Sequence, residues 1–376
     1  MKEVREIIKA YHTAQAAEKK TALATVVLVE GSSYRRAGAR MLITEDGLLT
    51  GAISGGCLEG DALRKALRVI QAQKAAIVIY DTMDDDDATI GLGTGCNGVV
   101  HVLIEPIRGT HEIHPISLLQ KVNEKRQPWV VMTFFNRQDR SGIHQGTRYM
   151  INEQGQTIGS CPFPELKSTL LQEAKHVFYA KSSQWMDFRL EEQTLAVFLE
   201  FIPPTPQLVI AGAGNDVIPL VQMAEILGWD TIVADGRPNY ATSGRFGGGC
   251  QIVVAKPERI LENITVDEYT LFALMTHNYN YDKALLHELC QRQVSYVAML
   301  GPKKKINRMV EEFVEEDRAL TPAQQDIIYS PAGLDLGAET AEEITLSILA
   351  EMRAFLAGKT MHSLRYKLTP IHSLEE

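Results

Sequence analysis

Residues 208–217 read LVIAGAGNDV, an apolar run that ends in two glycines and leads into a second apolar stretch. Gly212 permits a tight turn after a buried strand, and Gly214 would let the backbone approach a pyrophosphate at the start of the following helix. The third glycine of the full dinucleotide-binding fingerprint is absent, because Val217 stands in its place. The stretch therefore predicts the first strand, turn and helix of a doubly wound domain.

Apolar strands and amphipathic helices alternate downstream of this stretch, with strands predicted at TIVADGR (231–237), LFALMTH (271–277) and SYVAML (295–300). Such alternation requires right-handed crossovers and a parallel sheet covered on both faces. A long amphipathic helix is predicted over about 338–357, with its apolar side on the sheet. The sequence thus predicts an α/β protein with a C-terminal, doubly wound, Rossmann-like parallel sheet domain.

The segment FIPPTPQ (201–207) contains three prolines, which are typical of a stiff, extended linker. Upstream of it, short apolar runs such as ALATVVLVEG (22–31) and VVHVLIEP (99–106) are separated by glycine turns and by predicted helices. We therefore expect an N-terminal α+β domain over 1–202 and the Rossmann-like domain over 203–376.

The charge and the cysteine content argue against some classes of protein. The 376 residues carry a formal net charge of −9, which argues against nucleic-acid binding because neutralising phosphates needs a concentrated basic surface. The five cysteines are scattered and odd in number, and the sequence shows neither a secretory signal nor a membrane span. We expect a cytoplasmic protein with no membrane association, in which a cysteine in a special setting is a ligand or reactive thiol and not half of a disulfide.

The sequence does not decide which nucleotide, if any, the second domain binds. Asp235 ends the second strand, close to where an acid meets a ribose hydroxyl, which favours NAD. Arg237 follows two residues later and is placed to accept the 2′-phosphate of NADP. The same glycine turn also serves other nucleotides, pterin dinucleotides and empty Rossmann folds.

Three loops of the first half have an unusual density of glycines and small polar residues: GSSYRRAGARM (31–41), GAISGGCLEGD (51–61) and GLGTGCNG (91–98). Their density of glycine suggests a surface where backbone N–H groups approach a ligand closely. Cys57 follows Gly55 and Gly56 near a predicted helix N-terminus, where a thiolate is stabilised. Cys96, followed by Asn97, lies in an equally tight turn.

Hydroxyl and guanidinium groups accompany these loops. Such donors suit an anionic ligand that carries phosphate or a dithiolene–oxo metal group. The residues concerned are Ser32, Ser33, Tyr34, Arg35, Arg36 and Arg40.

These segments together resemble the xanthine dehydrogenase accessory factors of the XdhC/CoxI type. The resemblance rests on the three glycine loops and on GAGNDVIPLVQMAEILGW, VADGRPNYA, MTHNYNYD, YVAMLGPKKK and SPAGLDLGAETAEEITLSILAE, over about residues 31–350. The triple lysine 303–305 after Pro302 departs from the family's usual pattern, and residues 105–200 match no motif of it.

The resemblance implies a protein that binds molybdenum cofactor (molybdopterin), shelters its sulfurated form and delivers it to a molybdenum hydroxylase such as xanthine dehydrogenase. It makes Cys57 and Cys96 the candidates for contact with molybdenum. In the second domain it places Gly212, Gly214 and Asp235, with Thr276, His277 and Asp335, at one ligand-binding edge. A homodimer is expected, with a cysteine desulfurase as a further candidate partner.

The alternative function is an NAD(P)-dependent oxidoreductase that uses the Rossmann-like domain. It is motivated by GAGNDV together with Asp235, and it needs a proton-transfer residue, for which His277 is the best-placed candidate.

Overall fold

The computed structural model describes residues 2–81, 98–108, 113–139, 145–190 and 193–367. The chain forms two compact units, one ending at Pro204 and the other spanning Thr205–Lys367. Cys96 and Asn97 lie outside the described residues.

The described part of the first unit contains two antiparallel five-stranded sheets. The first sheet consists of β1 (Thr21–Gly31), β2 (Arg40–Thr44), β3 (Leu49–Gly51), β4 (Ala76–Asp81) and β5 (Gly98–Ile107), in the order β3-β2-β1-β5-β4. The second consists of β6 (Trp129–Phe135), β7 (Gly146–Asn152), β8 (Thr157–Gly159), β9 (Gln184–Leu190) and β10 (Gln193–Ile202), in the order β8-β7-β6-β10-β9. The helices are α1 (Lys2–Ala16), α2 (Glu59–Ala72), α3 (Pro115–Glu124) and α4 (Lys167–Ala180).

The two sheets of the first unit pack face to face. Leu28 of β1 and Phe198 of β10 share one apolar cluster between them. The outer face of the first sheet is covered by α2 and that of the second by α4. This layering explains why β1 and β6 read as nearly continuous apolar runs, since each is buried on both faces.

The second unit contains a parallel six-stranded sheet in the order β13-β12-β11-β14-β15-β16. Its strands are β11 (Gln207–Ala211), β12 (Asp230–Asp235), β13 (Gln251–Val254), β14 (Thr270–Leu274), β15 (Val297–Met299) and β16 (Ile328–Tyr329). Its helices are α5 (Val217–Ile226), α6 (Ser243–Phe246), α7 (Tyr279–Cys290), α8 (Lys303–Glu315), α9 (Pro322–Asp326) and α10 (Ala341–Leu356).

This strand order is that of a Rossmann fold, and it confirms the fold predicted from the sequence. One apolar cluster packs α5 and α10 on one face of the sheet, and a second packs α7 and α8 on the other. Ile348 and Met352 of α10 are fully buried, as the helical spacing predicts. The helix begins at a capping box formed by Thr340 and Glu343. The strand order reverses between β11 and β14, which places a crevice beyond the ends of these two strands.

Candidate functional site

Two of the three glycine loops of the first unit touch each other. The ring of Tyr34 lies over Gly55, so that an ideal Cβ on Gly55 would be 3.3 Å from the ring carbons. Tyr34 is itself 67% exposed, so this contact forms part of the surface. The absence of a side chain at residue 55 is thus what allows the aromatic ring to cover the second loop.

The strand that follows the third loop also approaches the first loop. An ideal Cβ on Gly98 would overlap the carbonyl oxygen of Ser32, and Gly98 pairs with Gly31 across β1 and β5. Ser32 is exposed and Ser33 half-buried. The segment 31–36 therefore contacts residues from both other glycine-rich regions. From the sequence, the proximity of the three loops could be inferred only through the family resemblance.

The loop that carries Cys57 is held by a carboxylate. Glu59, the first residue of α2, accepts hydrogen bonds from the backbone N–H groups of Ile53 (3.2 Å) and Ser54 (2.8 Å), and from the Ser54 hydroxyl. The Ser54 oxygen in turn accepts from the N–H groups of Gly56 and Leu58. Burial alone would raise the pKa of Glu59, but these hydrogen bonds hold it below its ordinary value. Cys57 is half-buried and free, two residues before the helix.

The two arginines of the first loop have different settings. Arg35 donates from Nη2 to both carboxylate oxygens of Glu3, at 2.9 and 2.7 Å. Arg36 is exposed, and no side chain in the described part of the chain pairs with its guanidinium. Both line a cleft of about 440 Å³ whose wall also includes Tyr34, Gly38, Ser183 and Phe201. The cleft thus offers one arginine whose charge is balanced and one whose charge is available to a ligand.

Arg40 is placed in the interior of the first unit. Its guanidinium, 5% exposed, forms a bidentate ion pair with Glu200, and it also donates to the carbonyl oxygen of Gly38 at 2.9 Å. Sequence reasoning missed Glu200, because it belongs to a strand 160 residues away. Both terminal nitrogens of Arg40 thus donate within the protein, and the bond to Gly38 helps to hold the loop in place.

Among the described residues, no group of three or more His, Cys, Asp or Glu side chains is arranged to hold a metal ion. Within the described parts of the three glycine loops, Cys57 is the one thiol that could serve as a soft ligand. Cys250 and Cys290 are buried, and Cys161 is half-buried and donates to the carbonyl oxygen of Phe163.

At the strand-order reversal of the second unit, the turn after β11 meets the turn after β14. Gly212 has a φ of 122°, and a Cβ on it would overlap the carbonyl oxygen of Met275. A residue with a side chain would force these turns apart. The close approach brings Thr276 and His277 beside the glycine turn, as expected from their position after a neighbouring strand.

The Asp235 carboxylate is fully engaged within the protein. It accepts from the backbone N–H of Ala213 (2.9 Å) and from the backbone N–H, Nε and Nη2 of Arg237. Burial alone would raise its pKa, yet the hydrogen bonds from Arg237 hold the pKa below the ordinary value. The carboxylate thus connects the glycine turn to the end of β12. Both of its oxygens already accept hydrogen bonds, at the position where an acid would accept one from the ribose hydroxyl of a bound nucleotide.

Three further residues of this crevice were not singled out from the sequence. Asp216 forms a 2.9 Å hydrogen bond with His277, and Arg245 donates to the carbonyl oxygen of Ala213. Tyr240 lies with its ring centroid 4.3 Å from Arg237 Cζ. Asp216 could have been predicted as a site residue, because it belongs to the NDV triplet that directly follows the glycines. Arg245 could not, because nothing in the sequence connects it with a turn 30 residues upstream.

The remaining candidates differ in their surroundings. Thr276 donates to the buried carboxylate of Asp282 at 2.6 Å, and Lys305 donates to its other oxygen at 2.6 Å. Asp335 is exposed, in a loop held to α10 by Ser347 and Glu351. Thr276 is therefore a structural anchor of the crevice, and Asp335 has its carboxylate in solvent.

Within the described residues, the helices are too short or too polar to cross a membrane.

Comparison with known proteins gives concordant matches. Residues 14–81 match the XdhC and CoxI family, and residues 208–352 match the XdhC Rossmann domain. A crystal structure described as a xanthine dehydrogenase from Bacillus halodurans superposes with a TM-score of 0.73 at 28% identity, over 96% of this chain and 99% of the other.

Two named relatives cover most of the chain. A probable xanthine dehydrogenase subunit of Bacillus subtilis is 30% identical over 89% of this chain and 93% of its own length. The molybdenum cofactor insertion chaperone PaoD of Escherichia coli is 21% identical over 93% of this chain and 87% of its own length. These matches confirm the resemblance carried by the glycine loops: the chain belongs to the XdhC and CoxI family.

Proposed function

We propose that this protein is an accessory factor that binds molybdenum cofactor on the glycine loops of its first unit and delivers it to a molybdenum hydroxylase of the xanthine dehydrogenase type. The observation that carries the proposal is the meeting of the loops, in which segment 31–36 contacts both Gly55 and Gly98. Because Gly55 and Gly98 lack side chains, the loops pack closely on one another, which gathers their backbone N–H groups and the Tyr34 ring around one region of the surface.

The chemistry of the loops suits this cargo. Molybdopterin carries a phosphate, for which the exposed guanidinium of Arg36 offers charge-assisted hydrogen bonds. Molybdenum with dithiolene and sulfido ligands prefers soft donors, and Cys57 supplies a thiol on the neighbouring loop. Ser32, Ser33 and the Tyr34 ring supply hydroxyl donors and an aromatic face. Cys96 and Asn97 belong to the proposal through the sequence alone.

The relatives support an accessory role over an independent activity. One is named as part of xanthine dehydrogenase and another as a molybdenum cofactor insertion chaperone. Protection of the sulfurated form, a cysteine desulfurase as sulfur donor, a homodimeric state and a cytoplasmic location are finer parts of the same proposal. A light-scattering mass equal to one 41.8 kDa chain at all concentrations would contradict the homodimer.

The experiment compares cofactor retention by matched variants. Purified protein is incubated with molybdenum cofactor, and pterin fluorescence and molybdenum are measured in the protein peak after gel filtration. We expect wild type to retain both, Cys57→Ser to lose most of the molybdenum, and Cys161→Ser, a change at another half-buried thiol of the first unit, to behave as wild type. Equal retention by the two cysteine variants would remove Cys57 from the site.

A second pair of variants tests the phosphate contact. Arg36→Gln removes a guanidinium that has no partner among the described residues, so the fold should persist. Loss of a hydrogen bond to a charged group, about 1.5–3 kcal/mol, predicts at least tenfold weaker cofactor binding. Arg64→Gln on the surface of α2 is the control and should bind normally.

The oxidoreductase alternative finds less support in the geometry. Asp235, the residue that would read the ribose of NAD, already accepts hydrogen bonds at both oxygens. Titration with NADH and NADPH, followed by nicotinamide fluorescence, should show no tight binding to the wild-type protein.

A further inference from the structure

An open groove runs along the outer side of α1, with Asn123 of α3 on its other wall. Its volume is about 740 Å³, and the residues of α1 that line it are Arg5, Ile8, Lys9, His12, Thr13 and Ala16. They follow the i, i+3, i+4, i+7 spacing of one helical face, so they form a stripe about 16 Å long. The opposite face of α1 packs into the first unit, through Ile7, Tyr11 and Ala14. The groove thus belongs to the face of α1 that the core does not use.

This groove is basic, although the protein as a whole is acidic. Arg5, Lys9 and His12 follow one another at intervals of one helical turn, and none of the described residues that line the groove is acidic. The Lys9 ammonium is exposed, and no carboxylate in the described part of the chain pairs with it. The whole chain carries a formal net charge of −9. The groove therefore complements a partner whose acidic side chains are also spaced one helical turn apart.

The shape of the groove favours a protein segment as its occupant. The lining residues are exposed except for the half-buried Ile8, whereas a small-molecule site buries most of its ligand. A membrane surface fits poorly, because α1 exposes no large apolar side chain that could insert among lipids. A partner helix fits both the length and the charge, since its apolar side can pack on Ile8 and Ala16 while its acidic side chains meet the basic ones.

The inner side of α1 contacts two of the glycine loops. The Glu3 carboxylate accepts both hydrogen bonds that Arg35 Nη2 of the first loop donates. Ile7 is fully buried, and its Cδ1 lies 3.1 Å from the ideal Cβ position of Gly51, the first residue of the second loop. A protein bound along the groove is therefore separated from both loops by a single helix.

We propose that the basic groove of α1 docks an acidic helical segment of the acceptor molybdenum hydroxylase. This inference rests on the proposed function, because the acceptor is the protein that must approach the glycine loops to receive the cofactor. Arg5 and Lys9 pair with carboxylates of the segment, and Ile8 and Ala16 contact its apolar side. Docking on α1 brings the acceptor beside the loops without covering them.

The test measures binding of the full chain to the xanthine dehydrogenase of the same organism, purified without molybdenum cofactor, by biolayer interferometry. Lys9→Glu reverses a charge at an exposed position, and we expect its association with the hydroxylase to be about tenfold slower than that of wild type. Wild-type binding should also weaken as the salt concentration rises. Lys175→Glu, the same change at an exposed lysine of α4, is the control and should associate as wild type does.

A second variant tests the shape of the groove without changing its charge. Ala16→Trp places a large ring at one end of the stripe, where the native side chain is exposed, so the fold should persist and far-ultraviolet circular dichroism should be unchanged. The ring obstructs a docked helix, and we expect about tenfold weaker binding to the hydroxylase.

Three results would overturn the proposal. The first is equal association of wild type, Lys9→Glu and Lys175→Glu with the hydroxylase, or no binding by wild type. The second is loss of a wild-type dimer in Lys9→Glu, seen by light scattering, with unchanged binding to the hydroxylase, which would make the groove an interface between copies of this chain. The third is loss of binding to phosphatidylglycerol vesicles in Lys9→Glu, again with unchanged binding to the hydroxylase, which would assign the groove to a membrane surface.

Cofactor retention by the same proteins separates this proposal from the proposed function. Docking is measured without cofactor, and Lys9→Glu should retain molybdenum cofactor as wild type does, because the glycine loops are intact. If wild type docks in a Lys9-dependent way but retains no cofactor, the docking surface stands and the proposed cofactor binding is wrong. If wild type retains the cofactor and Lys9→Glu docks normally, the proposed function stands and the docking surface is wrong.

Discussion

Arg40 on β2 and Glu200 on β10 form a bidentate ion pair in the interior of the first unit, with side chains only 5% and 9% exposed. The pair connects the two sheets, and Glu200 lines the same cleft as Tyr34 and Arg35 of the adjoining loop. Arg40 also donates to the carbonyl oxygen of Gly38 within that loop. The conformation of the loop is thus tied to the packing of the sheets.

Breaking this pair from one side should be costly. Arg40→Met leaves the Glu200 carboxylate buried without its cation, which predicts a loss of about 3–5 kcal/mol. The loss should appear as a lower urea midpoint and faster deuterium exchange in β2 and β10. The double variant Arg40→Met/Glu200→Leu removes both charges and should recover most of the stability. A double variant as unstable as Arg40→Met would show that packing, and not the charge, is responsible.

The carboxylate of Glu59 makes the loop around Cys57 sensitive to acid. Because its pKa in the folded protein lies below the ordinary value, Glu59 contributes stability above that ordinary value and loses it as the pH falls through the lowered one. Glu59→Gln should therefore lower the unfolding temperature at neutral pH, and the difference from wild type should shrink in acid. Glu6→Gln, at an exposed position on α1, should leave the pH profile unchanged. Parallel profiles for wild type and Glu59→Gln would contradict this role.

The strand–helix alternation made the second unit predictable, because every strand of a covered parallel sheet is an apolar run bounded by turn residues. The second sheet of the first unit was not assigned from the sequence, although WVVMTFF (129–135) is a similar run. The turns around it contain single glycines, such as Gly155 between β7 and β8, and not the glycine-dense loops that marked the first sheet. The Arg40–Glu200 and Asp216–His277 pairs could not be predicted, since each depends on which strand ends become neighbours. Asp235 was correctly placed at the end of β12, but sequence spacing could not show that Arg237 occupies its carboxylate.

Gly212 should be irreplaceable for the fold of the second unit. Alanine there places a Cβ against the backbone carbonyl of Met275 and also requires a φ near 122°. A loss of about 2 kcal/mol or more is expected, measured as a lower unfolding temperature. Gly244→Ala is the control, because nothing lies within 4 Å of its Cβ position and the residue is part of α6. Equal stability of the two variants would show that the turns after β11 and β14 separate easily.

The thiols should differ in their reactivity towards alkylating agents. Burial raises the pKa of Cys290 to about 11 and also raises the pKa of Cys161 and Cys250. Because the thiolate is the nucleophile, roughly one thousandth of Cys290 is reactive at about pH 8. Cys57 is half-buried beside two exposed glycines, so we expect iodoacetamide to modify it before Cys161 and Cys290. Peptide mass spectrometry over a time course gives the order directly, with denatured protein as the control in which these three thiols react at similar rates.

The alkylation time course can be repeated on protein that retains molybdenum cofactor. If the Cys57 thiolate contacts the metal or its sulfido ligand, the cofactor should slow its alkylation and leave the rate at Cys161 unchanged. If instead Cys161 is modified first, the glycine loop does not expose Cys57 as its neighbours suggest. Equal rates at Cys57 with and without retained cofactor would place the molybdenum contact on another residue, while leaving the phosphate contact of Arg36 to be tested by its own variant.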